Sequence, residues 1–115
     1  MNKVEKKFYN EVQSDIKDFA RYTIEGVKNT RDIEFSEVKN EILALRELNL
    51  SNSNLEVIKK IIENAIQGAV HSIFVSIDGG TALSDNGKAI ELIDLKTGKS
   101  ITEGALHENF MDVLD

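Results

Sequence analysis

The sequence predicts an α+β fold: three N-terminal helices, a small antiparallel β-meander and a short C-terminal helix. Three observations predict it. Apolar residues recur at steps of three and four from Val4 to Ile77, the spacing of amphipathic helices. Gly79-Gly80 then ends that pattern, and strong turn signals follow it. A short amphipathic stretch returns near the end. At 115 residues, 41% hydrophobic and 30% charged, the chain reads as a single domain over residues 1–115. Residues 1–78 are expected to be mainly helical, 79–102 to form the meander and 103–115 to form the terminal helix.

The first helix is predicted over about residues 3–28. Its stripe is Val4, Phe8, Val12, Ile16, Phe19, Ala20, Thr23 and Val27, with Gly26 and Asn29 as terminators. The second runs over about 33–49, with Phe35, Val38, Ile42, Leu45 and Leu48 on one face. A polar loop, Asn49 to Asn54, separates it from the third. There Ser53-Asn-Leu-Glu56 fits a capping box, in which side chains satisfy the first free amides of a helix. Leu55, Ile58, Ile62, Ile66, Ala69, Val70 and Ile73 carry the helical period onward. Ile73-Phe-Val-Ser-Ile77 is also β-prone, but Phe74 and Ile77 stay on the stripe and no breaker precedes Gly79, so the helix is expected to reach Asp78.

Beyond Gly80, Asp85-Asn86-Gly87 marks a hairpin between Thr81–Ser84 and Lys88–Leu95, and Thr97-Gly98-Lys99 a second turn into Ser100–Thr102. A lone hairpin is marginal in water, so this meander must pack on the helices. The last helix is expected over about 105–114, burying Leu106, Phe110 and Val113.

Composition limits the function classes. The absence of cysteine excludes disulfides, thiol catalysis and cysteine-ligated zinc. No window approaches the apolar length of a membrane span, and the N-terminus lacks the apolar core of a signal peptide, so a cytoplasmic protein is expected. Net charge is −6, with 9 basic and 10 acidic side chains in residues 1–50 and 5 basic and 10 acidic in residues 51–115. Clustered cations of the kind that bind phosphate backbones are missing, which disfavours nucleic acid. An acidic surface suits a basic protein partner instead, and it also serves solubility.

The candidate site residues are His71, Asp78, Gly79, Gly80, His107 and Glu108. His71 and Asp78 share a helical face but lie about 10 Å apart along the axis, too far to chelate one ion together. His107 and Glu108 are adjacent and point about 100° apart on a helix. A metal site would need one histidine from each segment to converge, which no ligand spacing signals, so no metal and no cofactor are expected. Nothing pairs a nucleophile with a base. Asp78 breaks a local rule, since it puts a negative charge at the negative end of a helix dipole. Asp78-Gly79-Gly80 is therefore a candidate binding corner, with a structural reading beside it: Gly79 as a left-handed cap and Asp78 bonded to nearby turn amides.

The helical N-terminal half, the His…Asp-Gly-Gly corner and the late Leu106-His-Glu-Asn-Phe110 resemble small uncharacterised bacterial or phage proteins. In size and acidity the chain is similar to toxin-immunity proteins. The resemblance covers mainly residues 71–110 and implies an interaction module that presents an acidic C-terminal surface to a basic protein. The competing expectation is a small enzyme or ligand-binding protein, with His71, Asp78, His107 and Glu108 lining a pocket between helices and meander. A homodimer paired through part of the first helix is a third.

Overall fold

The computed structural model describes residues 1–79, 90–101 and 105–114. Four helices occupy 67% of these residues: α1 (Lys3–Val27), α2 (Lys39–Glu47), α3 (Asn52–Ile77) and α4 (Leu106–Val113). The chain divides into two compact units, Met1–Ser14 with Ile66–Asp115, and Asp15–Ala65.

Among the described residues the fold is all-helical, and the α+β expectation with its β-meander is corrected. Among the described residues the β content is a single antiparallel bridge, Ile93 to Ser100. The predicted hairpin about Asp85-Asn86-Gly87 lies outside the described residues. The second turn is in place, with Gly98 in the left-handed region at φ 70°. The Asp94 amide donates to the Lys99 carbonyl and the Ile101 amide to the Leu92 carbonyl, but among the described residues the pairing stops at that one bridge, too short for a strand. The Asp94 carboxylate accepts the Thr97 amide at 2.8 Å and the Thr97 hydroxyl at 2.6 Å, folding the chain into a side-chain-bonded loop. These bonds hold the Asp94 carboxyl below its ordinary titration range.

α1 begins with a capping box two residues into the chain. The Asn2 side chain accepts the Glu5 amide at 2.9 Å, and the Glu5 carboxylate accepts the Asn2 amide at 3.3 Å. α1 ends in a Schellman motif, in which the Asn29 amide donates to the Gly26 carbonyl and the Thr30 amide to the Glu25 carbonyl. Asn29 takes the left-handed conformation this requires, at φ 61°. Replacing Asn29 by alanine is expected to cost about 1–2 kcal/mol, while glycine is tolerated, as urea unfolding of the two variants will show.

The Asp15–Ala65 unit has its core in Ile24, Val27, Ile33, Ile42 and Leu55, with Leu45, Leu50, Ile58 and Ile62 packed against them. The second helix is shorter than predicted. The Asp32 carboxylate accepts the Glu34 amide and the Ser36 hydroxyl accepts the Val38 amide, so residues 32–38 make side-chain-bonded turns that compete with helix. Ile42 is buried, whereas Phe35, Val38 and Leu48, read from the sequence as the same apolar face, are exposed. α3 starts two residues before the predicted capping box: Ser51 accepts the Asn54 amide at 3.0 Å, and Asn54 accepts the Ser51 amide in return. It runs unbroken to Ile77, as its apolar stripe implied.

In the other unit the core is aromatic. Phe74 of α3 meets Tyr9 of α1 edge-to-face at 6.1 Å between ring centroids, and Phe110 of α4 at 5.2 Å. Phe8 closes the group against Tyr9 and Phe74. Leu106 and Phe110, the two residues predicted to anchor the last helix, are fully buried.

Candidate functional site at the junction of α3 and α4

Three of the predicted site residues come together. α3 ends at Ile77, Asp78 follows, and Gly79 turns the chain in the left-handed region at φ 84°. The Asp78 side chain, 6% exposed, reaches the start of α4. There its carboxylate accepts the Leu106 amide at 2.9 Å, the His107 amide at 2.9 Å and the Nδ1–H of the His107 ring at 2.5 Å.

The rule that Asp78 breaks is thereby explained. A carboxylate at the C-terminal end of α3 opposes that helix dipole, at a cost of about 0.3–1 kcal/mol. At the N-terminus of α4 the same carboxylate satisfies two of the four amides that an isolated helix leaves unpaired. A side-chain cap of this kind contributes about 0.5–2 kcal/mol, and the favourable dipole end adds to it, so the second effect wins. Ala105, the residue preceding α4, supplies no capping side chain, which is why the cap comes from 28 residues upstream.

An ionised carboxylate only accepts, so the Nδ1 of His107 that faces it donates the proton of this bond. The His71 ring stands against His107 edge-to-face, 5.7 Å between centroids. The seven-residue gap between His71 and Asp78 is thus filled by His107, in the first turn of α4. Glu108 is exposed on the next face of α4, and Gly80 lies outside the described residues. Among the described residues no group of three His, Asp or Glu side chains is placed to hold a metal ion. No hydroxyl is hydrogen-bonded to either imidazole among them. The arrangement fixes an imidazole and caps a helix.

Sequence reasoning did not find Tyr9, which with Glu5 is buried in this unit. Its ring is wholly buried, and its hydroxyl has no partner of hydrogen-bonding geometry among the described residues. Burial pushes the Tyr9 hydroxyl above its ordinary titration range; the nearby Asn109 side chain offsets part of this, and the Glu5 and Asp78 carboxylates reinforce it. In the unfolded chain tyrosine titrates near about pH 10. The folded value is higher, so this contribution to stability is complete below about pH 10 and is lost as pH rises through the folded value. Urea midpoints taken from neutral to strongly alkaline pH are expected to fall more steeply for the native chain than for Tyr9→Phe. At neutral pH, Tyr9→Phe is expected to change stability by less than about 1 kcal/mol, because it removes a hydroxyl that gains no bond from burial.

No helix among the described residues is long and apolar enough to cross a membrane. Comparison of the chain with protein-family models, with curated proteins and with solved structures gives no match.

Proposed function

We propose that the chain is a non-catalytic protein-interaction module that presents an acidic-rimmed apolar face to a basic partner. One observation carries the reading. In the Asp15–Ala65 unit, Phe35 is 95% exposed, Phe19 65%, Tyr22 54% and Val38 51%. Large apolar side chains grouped on a surface mark interaction sites far more often than scattered ones do. Phe35 and Val38 follow the apolar period of the sequence yet are not used to build the core. The net charge of −6 favours a cationic partner and an association that weakens as salt rises. An immunity-type role in the cytoplasm belongs to the same proposal. On this reading the contact face lies on residues 19–38 of the Asp15–Ala65 unit, where the sequence expectation puts it on the acidic residues 51–115.

The test is capture on the immobilised chain at low and high salt, offering the products of adjacent genes as well as whole lysate. A specific partner released by salt is the expected result. Recovery of none that responds to salt sinks the proposal.

A second reading, a small ligand-binding protein, draws on one observation: His71 and His107 meet. It requires that a small molecule shift the ring signals of both histidines in a saturable way. Silence of those signals across a metabolite panel removes it.

A further inference from the structure

Two hollows on the Asp15–Ala65 unit both take Tyr22 as part of their lining. One, of about 560 Å³, is formed by Tyr22, Phe35, Val38 and Ile42 with Arg31, Asp32 and Glu34 among its polar residues. The other, of about 320 Å³, is formed by Phe19 and Tyr22 with Asp15, Asp18 and Arg21. Four carboxylates therefore border the apolar floor, against two guanidinium groups.

Both guanidinium groups are already engaged. Arg21 pairs with Asp18 at 3.1 Å and with Glu25 at 3.7 Å. Arg31 lies over the Tyr22 ring, 3.5 Å from its centroid, and its Nε–H donates to the Tyr22 carbonyl. Glu34 is paired with Lys39 at 2.9 Å. Asp15 and Asp32 make no ion pair among the described residues; one Asp32 carboxylate oxygen accepts the Glu34 amide, while Arg31 donates its Nη1–H to the Asp32 main-chain carbonyl at 3.0 Å. The result is an apolar floor with a rim whose negative charge is incompletely balanced.

We propose that this face binds a basic amphipathic helix of another protein, its apolar side chains seated on Phe19, Tyr22, Phe35 and Val38 and its Lys or Arg residues set against Asp15 and Asp32. This deepens the function proposed above and rests on it. The charge selects a cationic occupant. The secondary structure selects a helix: the regular elements of this unit are helices, whose main-chain groups pair internally, so it offers no sheet edge on which an extended peptide could add a strand. An apolar groove between helices suits an amphipathic helix, which lays its apolar face into such a groove. A second copy of the chain would bring the same carboxylates against these, and an anionic lipid surface would meet the same repulsion.

The experiment is an NMR titration of the isotope-labelled full chain with two designed helical peptides. They share one leucine face; one carries lysine on the polar face and the other glutamate. The lysine peptide is expected to shift the amides of Phe19, Tyr22, Phe35 and Val38 in a saturable way. Its affinity should fall several-fold when ionic strength rises from about 0.01 M to about 1 M, which shortens the screening length from about 30 Å to about 3 Å. Phe35→Ser, at a site exposed enough to leave the fold intact, should weaken it about tenfold, as loss of an interface anchor does. Equal binding of the glutamate peptide, shifts located elsewhere, or no saturable shift overturns the proposal. So does a dimer in light scattering that Phe35→Ser abolishes, or binding of neutral phosphatidylcholine vesicles through the same residues. Should natural partners depend on Phe35 while the lysine peptide is ignored, the basic helix falls and the interaction module stands. Should Phe35→Ser capture those partners unchanged, the module reading itself falls.

Discussion

Replacing Phe110 by alanine is expected to lower stability by about 3–5 kcal/mol, the cost of a large cavity in a packed core. Phe110 is fully buried, and its ring stands edge-to-face on Phe74, 5.2 Å between centroids. An aromatic pair of this geometry contributes about 0.5–1.5 kcal/mol beyond the area it buries. Phe74 in turn stands on Tyr9 and Phe8, so the cavity opens at the centre of the group that holds α4 to α1 and α3 within this unit. Against a total stability of about 5–15 kcal/mol the loss is large. Met111, the next residue along α4, is 54% exposed and is the control. Met111→Ala is expected to stay within about 0.5 kcal/mol. Urea unfolding of both variants measures the difference, and equal effects would contradict the packing described for α4.

Asp78→Ala is expected to cost about 2–3 kcal/mol. Loss of a helix cap accounts for about 1 kcal/mol, and a second amide left without its acceptor accounts for the rest. Asp78→Asn should recover about half of this, since one carboxamide oxygen still accepts an amide proton but the nitrogen cannot. The damage should be local. Amide exchange is expected to accelerate in Leu106–Val113 while the Asp15–Ala65 unit stays protected, because the lost bonds are those of Leu106 and His107. A change of less than about 0.5 kcal/mol in Asp78→Ala would remove the cap as the reason for this carboxylate's position.

These two residues also show what was legible in the sequence. Phe110 was readable because its role is local: it sits four residues from Leu106 on a short amphipathic helix, and that period survives into the fold. The same is true of the unbroken course of α3 to Ile77, which its stripe and the lack of a breaker implied. Asp78 was readable only as an anomaly. A carboxylate at the wrong end of a helix announces that something else holds it, but the partners lie 28 and 29 residues on, where no periodicity reaches. Their meeting also joins His71 to His107, a convergence that no spacing along either helix signals. The capping box of α1 was in plain view as Asn2 and Glu5, a pattern with asparagine in place of the usual serine or threonine.

The failures have a common physical origin. The signal at Thr97-Gly98-Lys99 is a turn signal, and a turn does not by itself make a sheet: the pairing beside it is a single bridge among the described residues. Phe35 and Val38 follow a helical period, yet Asp32 and Ser36 bind nearby amides and keep their segment out of helix. The period therefore put them in a core from which the backbone excludes them. Their exposure is what shifts attention from the histidines to the Asp15–Ala65 unit.

The central claim is that function resides on the Phe19, Tyr22, Phe35 and Val38 face, while the Asp78, His107 and His71 junction holds the fold. One comparison of partner capture, made with the native chain, Phe35→Ser and the His71→Gln/His107→Gln double variant, tests it directly. Capture lost in Phe35→Ser and kept in the histidine variant is the predicted result. Capture kept in Phe35→Ser and lost in a folded histidine variant would contradict it.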